Sequence, residues 1–154
     1  MADFQYFNIM DVDPNFADIE EGVYELRINK LEGGVYTPQS GKSAGVETYR
    51  VKGDFVIVNH PTFAGRRLWN TFWLSNKFDQ ISLRKLADRT GVVQNPGEAL
   101  EAWLQTMSTI QPTFKAKINS VDDVDWTTHQ PKVDEITGKV QKKAVVNWRE
   151  IFPA

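Results

Sequence analysis

The chain has no cysteine and only two histidines among its 154 residues. The absence of cysteine excludes disulfide bonds and thiolate metal sites, and it agrees with a cytosolic protein. His60 and His129 stand beside proline and glutamine, without the spacing of metal ligands. The sequence also has no nucleophile elbow, paired-histidine helix or glycine-rich phosphate loop. We therefore predict that the protein is not an enzyme and uses no cofactor or metal.

Long apolar runs are also missing from the sequence. No segment approaches the ~20 residues that a membrane-spanning helix needs, and no basic-plus-apolar leader indicates secretion. The apolar fraction of 41% and the charged fraction of 25% are ordinary for a globular domain. We predict a soluble, cytoplasmic protein with one domain over residues 1–154 and no membrane partner.

A general excess of positive charge is absent as well, since the formal net charge is −2. The charges are unevenly distributed, however. Residues 1–25 carry seven acids and no base, whereas residues 26–117 carry thirteen Lys or Arg against seven Asp or Glu. A local basic face attracts phosphate groups even when the whole chain is slightly acidic. Nucleic acid is therefore not excluded as a partner, although ordinary solvated surfaces would give the same charge pattern.

Tryptophan is abundant by contrast, with five residues, two of which lie in a predicted strand at residues 66–74. Alternate side chains of a strand face opposite sides. One side then carries Arg67, Trp69, Thr71 and Trp73, and the other carries Leu68, Phe72 and Leu74. A cation with two tryptophans on one face is typical of a platform that stacks nucleic-acid bases and holds phosphates. The prediction depends on register, because a slip of one residue would bury the tryptophans.

Patterns of period two predict four further strands, at residues 22–32, 46–58, 112–119 and 140–149. Gly53-Asp54 indicates a bulge or a bend in the second of the five strands. Helical spacing predicts a first helix with Asp79 as its cap and Gly91 as its stop. A second helix is predicted to begin at Asn95-Pro96, which places Trp103 in the core.

Three strands, helices and two strands follow one another in the order of the five-stranded OB-fold barrel, although another α+β sheet would give the same pattern. We predict a mainly β protein with helices between strands 3 and 4, forming a single OB-fold-like domain. Residues 1–21 would be an acidic, aromatic arm and residues 122–139 a polar loop. An OB-fold presents its ligand site on strands 2 and 3 and on two flanking loops.

The candidate nucleic-acid-binding residues are basic or aromatic and fall on these strands and loops. They are Lys42, Arg50, Lys52, Arg66, Arg67, Trp69, Trp73, Lys115, Lys117 and Trp126. Phosphates would lie along the cations and bases would stack on the tryptophans, whereas the alternative is solvated cations and tryptophans in the core. A further hypothesis is a divalent cation held by Asp122, Asp123 and Asp125, although such acidic loops are usually only solvated.

Several segments together resemble a family of phage-encoded single-stranded-DNA-binding proteins, whose domain was long described only as one of unknown function. The resemblance covers residues 4–120. Its loose motifs are Asp11 to Ile19, Glu21-Gly22-Val23-Tyr24, Tyr49 to Val58, Phe63-Ala64-Gly65-Arg66-Arg67-Leu68-Trp69, Leu74-Ser75-Asn76 and Leu86 to Gly91. The resemblance does not extend to an acidic tail that recruits partners, because Glu150 is the single acid of the last seven residues.

The resemblance implies an OB-fold protein that coats single-stranded DNA during phage replication or recombination, in the cytoplasm of the bacterial host. It assigns the arginine after the turn glycine to Arg66, with Arg67 beside it. Phage replication or recombination proteins would be further partners. The alternative function is a phage or bacterial protein–protein interaction module. Its aromatic face would dock another protein or a second copy of the chain, giving a homodimer.

Overall fold

The structure is a computed structural model that describes residues 4–6, 8–11, 18–42, 44–125 and 127–154. Five long strands form the sheet: β1 (Gly22–Tyr36), β2 (Thr48–Val58), β3 (Arg67–Trp73), β4 (Thr113–Asp122) and β7 (Lys142–Pro153). Helices α1 (Lys77–Thr90) and α2 (Leu100–Ile110) lie between β3 and β4, and a small hairpin of β5 (Val124–Asp125) and β6 (Gln130–Pro131) precedes β7. Two single-turn 3-10 helices, Phe4–Tyr6 and Ile9–Asp11, lie in the predicted N-terminal arm, of which residues 1–3, 7 and 12–17 are outside the described residues.

The five long strands form one antiparallel sheet in the order β3-β2-β1-β4-β7. The sheet is strongly curled, because the rings of Phe72 in β3 and Trp148 in β7 lie only 4.9 Å apart although these are its two edge strands. Among the described residues, no hydrogen-bonded ladder joins β3 to β7. The prediction of a mainly β fold with helices between the third and fourth strands is confirmed, whereas closure into a barrel is not.

The core lies on the inner side of the curled sheet. Phe55, Phe72 and Phe114 are fully buried, and the Trp148 ring lies within 6.3 Å of all three rings. Helix α1 adds Leu83 and Leu86, and α2 adds Trp103, Leu104 and Met107, at the helical spacing that the sequence predicts. Trp103 is 3% exposed, so its predicted place in the core is confirmed. In the described part of the chain, no helix is long and apolar enough to cross a bilayer.

The helix starts differ from the sequence predictions. The cap of α1 is Asn76 rather than Asp79, and its side chain accepts hydrogen bonds from the backbone N–H groups of Phe78 and Asp79. Helix α2 begins at Leu100 rather than at Asn95, because residues 95–98 close a turn on themselves. The Glu98 carboxylate accepts from the Asn95 N–H, and the Glu98 N–H donates to the Asn95 carbonyl, both at 3.0 Å. The predicted stop of α1 at Gly91 is confirmed by its left-handed φ of 75°.

Strand bounds also differ where glycines or bulges affect the pairing. β1 continues beyond residue 32, because Gly33 and Gly34 pair with Val51 and Arg50 of β2. The predicted bulge at Gly53-Asp54 was wrong, since the irregularity in this ladder lies in β1, between Ile28 and Lys30. β7 runs from residue 142 to residue 153, displaced from the predicted 140–149.

Candidate nucleic-acid interface

The outer face of β3 carries the side chains that strand alternation placed there. Leu68 and Phe72 are 6% and 0% exposed, whereas Trp69 is 71% exposed and Arg67 is also exposed. Trp73 is half-buried on the same outer side. The predicted register is therefore confirmed. A large aromatic ring at Trp69 lies in solvent beside a guanidinium group, a combination that can stack a planar ligand and hold an anion.

Trp73 belongs to a cluster of two aromatic rings and one guanidinium group at the end of the β1–β2 hairpin. The ladder sets Arg50 of β2 opposite Trp73 of β3, while Tyr36 closes β1 opposite Thr48. The Arg50 guanidinium carbon lies 4.0 Å from the centre of the Tyr36 ring and 5.7 Å from that of Trp73, and the two rings are 5.6 Å apart. Each cation–π contact of this kind is worth about 0.5–1 kcal/mol at an exposed site. The cluster therefore orders a cation and two rings before any ligand arrives.

The middle of this face combines cations with carboxylates, since Glu32 of β1 lies opposite Lys52. Lys52 is exposed opposite Thr71, and Asp54 lies opposite Trp69. The Asp54 carboxylate accepts from Arg67 at 3.4 Å and from the side-chain amide of Asn29 at 3.0 Å. Asp54 therefore orients Arg67 and also cancels part of its charge.

Arg66 is positioned by the tight turn that leads into β3. The His60 ring nitrogen Nδ1 accepts hydrogen bonds from the N–H groups of Thr62 and Phe63, at 3.0 and 2.9 Å. Gly65 then adopts a φ of +89°, which favours glycine. The Arg66 guanidinium lies 5.8 Å from the centre of the Phe63 ring. The turn thus places Arg66 directly before the first residue of β3, Arg67.

Other candidates are not brought to the same place. Lys115 and Lys117 lie on β4, which β1 separates from β2 and β3. Lys115 is opposite Glu25, and Lys117 is 4.0 Å from the Glu150 carboxylate. Lys42 is exposed in the loop between β1 and β2, beyond the ladder end at which Tyr36 and Trp73 stack. Trp126 lies outside the described residues, so its stacking role stays a prediction.

Sequence reasoning missed two cations, Lys142 and Lys143 at the start of β7. They line a groove of about 410 Å³ together with Arg66, Arg67 and Trp69 of the opposite sheet edge. The pair of adjacent lysines was a visible signal in the sequence. Their position was hidden because it depends on how β7 curls towards β3.

The acidic loop residues have separate partners in the structure. Asp122 pairs with Lys142, and Asp123 lies 3.7 Å from Lys132. Asp125 accepts from the Thr127 hydroxyl and from the N–H groups of Thr127 and Thr128, and these hydrogen bonds lower the pKa of its carboxyl group. Within the described residues, no group of three metal-ligating side chains converges. The carboxylates therefore order the loop that carries β5 and β6.

Comparison with models of known protein families gives no match, and no curated protein matches the sequence. The function must therefore be inferred from the surface of the protein itself.

Proposed function

We propose that the protein binds single-stranded DNA independently of sequence, with the outer face of β2 and β3. Trp69 carries this proposal, because a 71% exposed indole lies on a regular strand, with Arg67 on the same strand face and Lys52 on the adjacent strand opposite Thr71. Bases of any identity have a face that can stack on an indole, and phosphates are held by neighbouring cations without reading sequence. The cluster of Tyr36, Arg50 and Trp73 supplies a second stacking position along the same strand.

The sheet order supports an OB-fold reading of this surface. Strands β2 and β3 are adjacent at one side of the curled sheet, and the helices follow β3. An OB-fold is a partly open five-stranded barrel that binds oligonucleotides on these strands. The resemblance to phage-encoded single-stranded-DNA-binding proteins points to the same ligand and to a role in phage replication or recombination.

Titration with oligothymidine tests the proposal. We expect quenching of tryptophan fluorescence and an affinity that falls with salt, with a log–log slope of about −0.7 for each phosphate neutralised. Replacing Trp69 with alanine should weaken binding about 5-fold to 150-fold, since a stacked base is worth about 1–3 kcal/mol. Fluorescence anisotropy of a labelled oligonucleotide reports this variant without depending on its own tryptophans.

Phe78→Ala is the matched control, because Phe78 is an equally exposed aromatic (73%) on α1. It should leave DNA binding unchanged. The absence of salt-dependent binding at low ionic strength would contradict the proposal. Light scattering that shows a salt-insensitive complex shielding Trp69 would instead support a protein interaction module or a homodimer.

A further inference from the structure

The two edge strands of the curled sheet enclose a groove that extends beyond the proposed stacking face. Arg66, Arg67 and Trp69 line the side of the groove at β3, and Lys142 and Lys143 line the side at β7. Leu68, Ala144 and Ile19 add apolar surface to the lining of the groove. Because no ladder joins β3 to β7 among the described residues, backbone groups of both edges also face this region. The groove of about 410 Å³ is therefore open, elongated along two strands and lined by polar groups on both sides.

The charge of the groove is positive. Four cationic side chains line it, against one lining carboxylate, Asp18. Part of this charge is neutralised outside the lining, since Arg67 pairs with Asp54 and Lys142 with Asp122. In the described part of the chain, Lys143 has no ion pair. This excess suits a polyanion rather than a peptide with its own mixture of charges.

Trp69 links the groove to the stacking face. Its side chain lines the groove, and Trp73 lies four residues further along the same outer side of β3. Four residues of a strand span about 13 Å, the reach of only a few nucleotides. A single DNA strand whose bases stack first on the cluster at Trp73 and then on Trp69 is directed towards the groove between β3 and β7.

We propose that this groove is a phosphate track, in which Lys142 and Lys143 hold the DNA backbone beyond the base stacked on Trp69. The inference rests on the proposed function and extends it, because it assigns binding residues to a strand far from β2 in sheet order. The DNA would cross the open seam of the sheet rather than end at the edge of β3.

The test compares two pairs of lysines by the salt dependence of oligothymidine binding. The double variant Lys142→Gln/Lys143→Gln should reduce the magnitude of the log–log slope by about 1.4, the value for two phosphate contacts on a single strand. If the variant and the unmodified protein have equal affinities at 1 M salt, the variant should then bind about 25-fold more weakly than the unmodified protein at 0.1 M salt. Lys143→Gln alone should reduce the slope by about 0.7 without touching the ion pair of Lys142 with Asp122.

Lys115→Gln/Lys117→Gln is the control, since it removes the same charge from β4, across β1 from the stacking face. Its slope should remain that of the unmodified protein. If the unmodified protein binds, Trp69→Ala weakens binding, and both lysine pairs give equal slopes, the track is wrong while the proposed function stands. If the unmodified protein does not bind oligothymidine, both proposals fall.

Discussion

Asp54 of β2 lies opposite Trp69 and forms an ion pair with Arg67 on the outer face of β3. Its side chain is mostly covered, at 19% exposure, and it holds Arg67 at 3.4 Å. A negative charge at this position repels phosphates, while the same charge keeps the guanidinium beside Trp69. We expect the charge effect to be larger, because an ion pair with a half-exposed arginine is worth at most about 1 kcal/mol.

Replacing Asp54 with asparagine should therefore tighten binding of oligothymidine. The change removes one negative charge, releases Arg67 and keeps an acceptor for the Asn29 amide. We expect binding about 3-fold to 10-fold tighter at low salt. Anisotropy titrations at two salt concentrations measure the gain, which should shrink as salt rises. Asp88→Asn, which breaks the exposed pair with Arg84 on α1, should change nothing. Weaker binding by Asp54→Asn would mean that the orientation of Arg67 outweighs its charge.

Individual side chains of the candidate site could be predicted from the sequence only where a single strand determines them. Alternation set Trp69 on the face opposite Leu68 and Phe72 and left open which face is buried, and the burial of Leu68 and Phe72 decides it. The cluster of Arg50, Tyr36 and Trp73 needs two cross-strand registers, which no single segment contains. The role of Arg50 as a phosphate ligand therefore remains a prediction, now with two aromatic rings next to its guanidinium group.

Lys142 and Lys143 illustrate a second reason for a missed residue. The ladder between β4 and β7 is irregular, since Ala116 pairs with Ile151 while Lys117 pairs with Asn147. Three residues of β7 are thus bulged out between these two pairs. An insertion of this kind is visible only in the pairing, so the partners of Lys142 and Lys143 on β4, Asp122 and Val121, cannot be counted back from the end of β7.

The contact between α2 and β1 depends on Gly33. A Cβ built at this position would lie 2.8 Å from Leu104 of α2 and 2.7 Å from the Tyr49 ring. Gly33→Ala should therefore lower the free energy of unfolding by about 1–3 kcal/mol, because the Tyr49 ring and the Leu104 side chain must move to admit a methyl group. Urea unfolding followed by circular dichroism measures the loss.

The neighbouring glycine offers a matched control for this contact. A Cβ at Gly34 meets nothing within 4 Å, and both glycines lie in the same strand. Gly34→Ala should change stability by less than about 0.5 kcal/mol or raise it slightly. Equal losses in the two variants would show that strand flexibility, rather than the approach of α2, is responsible.

The two helices differ in how their first turns are capped. Asn76 caps α1 with its side chain, whereas Ala99 at the start of α2 has an extended backbone but no side-chain acceptor. Ala99→Asp should therefore stabilise the protein by about 0.5–1 kcal/mol, by accepting an N–H of the first turn and by favourable interaction with the helix dipole. Asn76→Ala should cost about 1 kcal/mol in the same thermal or urea measurement. No gain from Ala99→Asp would indicate that its backbone cannot bring the carboxylate to the first turn.

The order of elements was predictable because each has its own periodicity and its own stop signal. The start of α2 was not, since Asn95-Pro96-Gly97-Glu98 satisfies the local rules for a capped helix and for a closed turn alike. The choice between them is made by tertiary contacts. Trp103 donates its indole N–H to the Val92 carbonyl at 2.8 Å and thereby ties α2 to the segment that follows α1.

The whole molecule is organised around β1, the longest strand of the sheet. It pairs with β2 along its length and with β4 through its first half, and Leu26 and Ile28 are fully buried. The edge strands β3 and β7 each have one ladder partner among the described residues. The open seam between them is thus the part of the sheet with the least hydrogen bonding and also the proposed path of DNA.

Hydrogen exchange should report this difference directly. We expect the amides of Leu26 and Ile28 to exchange most slowly, at the rate set by global unfolding, and the edge amides of β3 and β7 to exchange faster through local opening. Saturating oligothymidine should slow exchange at both edges, because bound DNA covers the seam and stabilises the state that binds it. A non-binding double-stranded control of equal charge should give a smaller effect. Protection that appears on β3 while β7 remains unchanged would confine the DNA to the stacking face and contradict a path across the seam.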